Sequence, residues 1–155
     1  MLLYPKLASS MNNSVVVIKL NSGDPEIEKA YNIRRKVFVD EQHCPPELEY
    51  QHDDVSTHFL AICNNVPCGA ARWRKTENGI KLERFAVLPE FRGKGVGAQL
   101  VRTVLEDIQA IPGKVYLNSQ LSAMHFYTPF GFKPVGGQFE EAGIMHQQML
   151  YAGHN

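Results

Sequence analysis

The apolar positions of this chain change their period several times, and each change marks an element. Val15 to Leu20 is a β-branched apolar run, which predicts a strand. Asn21, Ser22, Gly23, Asp24 and Pro25 break it, ending in a good helix-capping residue and a proline suited to a first helical turn. Ile27, Ala30, Tyr31, Arg34, Val37 and Phe38 then recur at helical spacing, with Glu28, Lys29, Arg35 and Lys36 supplying the exposed face. That helix should end before Pro45 and Pro46.

From Thr57 the pattern becomes β-rich: THFLAIC, then VPCGAARWRK from Val66, then IKLERFAVL from Ile80, with turn signals at Asn64-Asn65 and Glu77-Asn78-Gly79. Three strands joined by tight turns predict an antiparallel meander. Beyond Pro89 the period is helical again, with Val96, Leu100, Val101, Val104, Ile108 and Ile111 on one stripe until Pro112-Gly113. VYLNS from Val115 reads as a strand, SAMHFYTPFGF as a shorter helix broken by Pro129 and Gly131, and Ile144 to Tyr151 as a closing strand. The predicted order is βαβββαβαβ, a mixed α/β sandwich with a helix crossing between neighbouring parallel strands.

A chain of 155 residues with 44% hydrophobic content fits one domain, here residues 14–155 behind a flexible segment over residues 1–13. Sixteen basic and sixteen acidic residues cancel, so no overall positive field recruits nucleic acid, and any anion site must be local. No apolar run approaches the roughly 18 residues of a membrane span, and the opening residues lack a signal-peptide pattern. Cys44, Cys63 and Cys68 are odd in number and lack zinc-like spacing. His43, Cys44, His52, Asp53 and Asp54 have no regular ligand spacing either, so the expectation is a cytoplasmic protein without metal.

The informative segment runs from Leu82 to Gly97, a strand, a turn and a glycine-rich helix start. Gly93, Gly95 and Gly97 carry no Cβ, so ligand oxygens can approach the backbone, and the unpaired first amides of the helix carry partial positive charge. Such a site holds a diphosphate without metal. The bland alternative is a tight strand-to-helix connection. Neither the P-loop spacing nor the dinucleotide fingerprint is present.

These residues resemble a known family. RGKGVG from Arg92 to Gly97 is similar to the Q/R-x-x-G-x-G/A acetyl-CoA signature of the GNAT superfamily, preceded by its usual apolar strand and V-x-P turn. Asn118, Ala123, Phe126, Tyr127, Gly131 and Phe132 resemble its later strand-then-helix motif. Arg34, Val37, Phe38, Glu41 and Gln42 look like the helix end of the ElaA-like branch, and GIMHQQM resembles that branch's last strand, with Met145 where a proline is frequent.

The resemblance implies direct acetyl transfer from the thioester of acetyl-CoA to a primary amine of a small molecule, or less commonly of a peptide or protein. It also implies two central parallel strands that splay apart. Backbone amides of Phe85, Ala86 and Val87 would then face the thioester, and Arg92, Gly93, Lys94, Gly95, Val96 and Gly97 the pyrophosphate. Asn118, Phe126 and Tyr127 would complete the cofactor side. Tyr127 matches the family's general acid, its phenol (reference pKa about 10) facing a leaving thiolate of about 8.5; the alternative is a packed helix tyrosine.

Glu83 and His146 are the candidate bases. Glu83 reads equally as a salt-bridged strand residue, with Arg84 alternating to the other face, and His146 equally as a hydrogen-bonded structural residue. Substrate recognition is expected from Arg34, Phe38, Glu41 and Gln42 along the helix end, and from Arg72 and Arg74, which share a strand face and otherwise read as solvated surface. Glu47, Glu49, Asp53 and Asp54 are candidates to attract a cationic amine. The rival function is a CoA-binding sensor without catalysis on the same fold, and a homodimer is compatible with the family.

Overall fold

Each β-rich run finds its partner in one sheet of eight strands in the computed structural model, which describes residues 14–21 and 23–153. The expected flexible segment over residues 1–13 lies outside the described residues. The strands are β1 (Val15–Leu20), β2 (Thr57–Cys63), β3 (Val66–Thr76), β4 (Gly79–Val87), β5 (Val115–Gln120), β6 (Phe132–Pro134), β7 (Phe139–Glu141) and β8 (Ile144–Tyr151). Their order is β1-β2-β3-β4-β5-β8-β6, with β7 also on β8; β4 and β5 are the parallel pair, and the other pairings are antiparallel. The turn at Asn64-Asn65 takes positive φ at both residues (50° and 66°), the tight hairpin geometry that asparagine tolerates.

The helix crossing from β4 to β5 is α3 (Val96–Ile108), and its apolar stripe of Val96, Leu100, Val101, Val104 and Ile108 is buried. Leu100, Val104 and Ile108 join Phe59, Trp73, Leu82, Val115, Leu117 and Met149 in the core on that face of the sheet. The opposite face packs Leu60, Ile62, Ala70 and Ala86 against Ala30, Ile33 and Val37. Ala30 and Ile33 belong to α1 (Ile27–Arg34), and Asp24 Oδ1 accepts the Glu26 N–H at 2.9 Å just before it.

Three features depart from the expected order. The first helix does not continue as an α-helix; Arg35–Glu41 is a π-helix in which the Gln42 N–H donates to the Val37 carbonyl at 3.1 Å, one residue further than α geometry allows. A short α2 (Pro46–Glu49) follows, started by its N1 proline. The segment before β8 folds into β6 and β7, each of three residues and too brief to show a period of two. The predicted short helix is α4 (Met124–Tyr127), flanked by 3₁₀ turns.

Candidate active site

The parallel pairing of β4 with β5 runs only over Ile80↔Val115, Lys81↔Tyr116 and Leu82↔Leu117. Both strands then continue, β4 to Val87 and β5 to Gln120, without pairing each other. A cavity of about 750 Å³ opens at this fork, lined by Glu83 to Val87 on one side and Asn118 to Gln120 on the other. Strands that part leave backbone donors and acceptors without ladder partners, a ready site for a polar ligand.

A bulge sets the geometry of β4. Ala70 faces Ala86 and Arg72 faces Glu83, so two steps on β3 span three on β4. The extra residue is accommodated at Arg84, whose φ is +61°, a costly conformation for a side chain without glycine's freedom. Strict alternation would send Arg84 to the face opposite Glu83. Instead the bulge brings its guanidinium against α2, where Nε donates to the Glu49 carbonyl at 3.0 Å and Nη2 to that of Leu48 at 3.1 Å. Beyond the bulge the Leu88 N–H donates to the Cys68 carbonyl at 2.9 Å, so alternation turns the Phe85 and Val87 amides to the open edge.

The glycine-rich turn closes one end. Gly93 and Gly95 have φ of 76° and 82°, and a Cβ on either would meet nothing within 4 Å, leaving open space over the backbone. Gly95 caps α3 and passes its carbonyl to Gln99 N–H at 3.1 Å, while the first helical amides face outwards. Gly97 serves differently: a Cβ there would stand 3.1 Å from Phe126 Cζ, so its lack of a side chain lets α4 approach α3. Arg92 turns away from the cavity floor, with Nε on the Val87 carbonyl at 2.9 Å and Nη1 and Nη2 on the two oxygens of Glu41 at 2.9 and 2.7 Å. Lys94 lies outside the lining, its ammonium 5.8 Å from the Phe91 ring.

Tyr127 lines the cavity from α4, its ring edge-on to Phe85, Phe126 and Phe132 at 5.0 to 6.0 Å. Burial among these rings pushes the phenol up from its ordinary value, so it stays protonated. Asn118 lines the same cavity, and its Oδ1 is buried with no hydrogen-bond partner among the described residues. On β8, His146 Nδ1 lies 2.7 Å from the Ile144 carbonyl, which can only accept; Nδ1 therefore carries the proton and leaves an Nε2 lone pair, 3.8 Å from Glu141.

The ionic side chains converge behind the β4 wall of the cavity, the side of Lys81, Glu83 and Arg84. Glu83 accepts from Arg72 Nε and Arg74 Nε at 2.8 Å each, with Lys81 Nζ at 3.2 Å. Burial alone would raise its carboxyl, but the charges of Arg72 and Lys81 and the Arg74 hydrogen bond outweigh it and hold Glu83 at about 2. Arg72 and Arg34 are fully buried rather than solvated, sharing Asp53, and Arg34 Nε also donates to Glu49 at 2.8 Å.

The structure thus gathers Glu83, His146, Tyr127, Phe85, Ala86, Val87, Arg92, Gly93, Gly95, Val96, Gly97, Asn118 and Phe126 around one cavity, with Phe38 and Gln42 also in its lining. Arg34, Arg72 and Arg74 stand a layer behind it. Glu41 is also displaced: the wider π turn brings Gln42 behind Phe38 into the cavity, where Gln120 Nε2 donates to its Oε1 at 2.8 Å, and turns Glu41 to Arg92. Lys81 and Arg84 line the cavity and were not foreseen there; only the lysine, two residues before Glu83 on the strand, shares a face with it by alternation.

The sequence matches the family model for an acetyltransferase (GNAT) domain over residues 21–152. It is 35% identical over 131 residues to the Bacillus subtilis (strain 168) protein named uncharacterized N-acetyltransferase YjcF, covering 82% of this chain and 93% of that one. Protein ElaA of Escherichia coli (strain K12) is 36% identical over 122 residues, 74% of this chain and 79% of ElaA. The crystal structure of Escherichia coli ElaA superposes with a TM-score of 0.76 at 28% identity, covering 89% of this chain and 99% of that chain. That of an acyl-CoA N-acyltransferase from Pseudomonas aeruginosa gives 0.79 at 25% identity, covering 90% and 100%.

Proposed function

This chain belongs to the GNAT acetyltransferase family and is an acyltransferase, and from that premise we propose that it transfers acetyl directly from acetyl-CoA to a primary amine of a small molecule. The observation that carries the reading is the fork of β4 and β5 beyond Leu82 and Leu117, which joins the glycine-rich turn to Tyr127 and Glu83 in one cavity. The pyrophosphate lies on the outward amides between Gly93 and Gly97. The thioester enters the fork, where the Phe85 and Val87 amides stabilise the oxyanion.

Tyr127 donates its proton to the departing thiolate, a role that its retained proton and the aromatic walls support. Of the two candidate bases, His146 is favoured by its free Nε2 lone pair. Glu83 is ionised but binds protons too weakly to be an effective base, and its charge holds the cationic wall in place. The even charge balance supports a small-molecule acceptor over nucleic acid. No helix of the described residues is long and apolar enough to cross a membrane, and we take the working compartment to be the cytoplasm.

The test is release of free CoA thiol from acetyl-CoA with a panel of small primary amines. Amine-dependent release that falls in Tyr127→Phe supports the reading; thiol release with no panel member by a folded protein that binds CoA contradicts it.

A further inference from the structure

The β4 wall of the cavity and the layer behind it carry more cations than their carboxylates can neutralise. Arg34, Arg72, Arg74, Lys81 and Arg84 share three carboxylates, Glu49, Asp53 and Glu83, through an unbroken run of ion pairs. His58, 4.0 Å from Asp53, adds no charge because burial lowers its proton affinity. Five positive groups against three negative ones leave a surplus of two. Arg34, Arg72 and Arg74 are held by the carboxylates behind the wall, whereas Lys81 and Arg84 are the two cations of the run that line the cavity.

Arg84 is the less neutralised of these. Its guanidinium lies 3.8 Å from Glu49 and gives its two hydrogen bonds to neutral carbonyls, leaving Nη1 without a partner among the described residues. Lys81 uses one contact, to Glu83, of the three donors an ammonium carries. Arg84 is itself the strained bulge residue, and such strain persists only where surrounding structure over-determines it.

Resting on the acetyl-transfer reading above, we infer that the acceptor is an amine bearing a carboxylate, an amino acid or close analogue, whose carboxylate binds Arg84 and Lys81 on β4. The half-exposed Glu141 and the buried His146 at the β7–β8 hairpin receive the amine end before it loses its proton. A zwitterion thus meets two cations and one anion in the same cavity. The substrate carboxylate offsets one of the two surplus charges, and an amine lacking the anionic group leaves both uncompensated.

The experiment compares matched acceptors in the thiol-release assay: phenylalanine, phenylalaninamide and 2-phenylethylamine, then leucine, leucinamide and isopentylamine. The carboxylate-bearing member of each set is expected to have the highest kcat/KM, by at least about tenfold. In Lys81→Met and, separately, Arg84→Gln, that preference over the members lacking the carboxylate falls about tenfold through KM, and Lys81→Arg restores it. Preference for the amide or the decarboxylated amine in both sets overturns the inference while leaving acetyl transfer intact. So does an unchanged preference in a folded Lys81→Met, the variant that spares the bulge. Release with no acceptor of either set overturns it too, and acetyl transfer is then judged on the remaining amines.

Discussion

Arg72 Nε donates to Glu83 Oε2 at 2.8 Å inside the sheet, with the arginine fully buried and the carboxylate nearly so. Removing either partner of such a pair leaves an uncompensated buried charge, which costs about 3–5 kcal/mol. Glu83→Gln is therefore expected to lose stability of that order at neutral pH, measured by urea unfolding.

The same pair sets an acid limb of stability. Because the folded carboxyl sits at about 2, below its unfolded value of about 4.3, its contribution is present above that unfolded value and is lost as pH falls towards 2. The stability gap between the parent and Glu83→Gln should narrow across that window. A gap independent of pH between 5 and 2 contradicts the assignment.

Tyr127→Phe removes one oxygen from a ring packed on Phe85, Phe126 and Phe132. The expected result is a fall of about 100-fold or more in kcat, with acetyl-CoA affinity nearly unchanged by calorimetry. Since burial raises the phenol, the rate should show no loss attributable to Tyr127 ionisation below about pH 10. Unchanged turnover would remove Tyr127 from the chemistry.

His146→Asn tests the base. The kcat/KM of the variant should fall about 100-fold. An unchanged kcat/KM in the folded variant would shift that role to another group or to the free amine.

Two neighbouring glycines should respond differently. Gly95→Ala forces a Cβ onto a left-handed backbone, φ 82°, at a cost of about 1–2 kcal/mol, and weakens acetyl-CoA binding. Gly97→Ala places its Cβ against Phe126 and is expected to displace α4, lowering kcat more than affinity. Identical effects of the two on binding and turnover would contradict this division.

Much of this arrangement is legible in the sequence where the physics is local. Val96, Leu100, Val101, Val104 and Ile108 repeat at 3.6 because one face of α3 is buried, and Asn64-Asn65 announces a hairpin because asparagine accepts positive φ. RGKGVG is readable because its glycines answer to backbone geometry. What stays hidden depends on distant partners. Arg72 and Arg74 read as solvated because Glu83 is a strand away and Asp53 lies in another loop.

The bulge at Arg84 is equally silent, since an arginine at φ +61° leaves no compositional trace where a glycine would. The π turn that exchanges Glu41 for Gln42 changes hydrogen bonds without changing the apolar pattern. The three-residue strands β6 and β7 form only because β8 offers an edge.

The most direct measurement is a crystal structure of the protein with CoA bound. The account predicts pyrophosphate oxygens within hydrogen-bonding distance of the amides between Gly93 and Gly97, pantetheine between β4 and β5, and sulfur beside the Tyr127 hydroxyl. Clear density for CoA elsewhere, with the fork of β4 and β5 holding no part of it, would contradict the account.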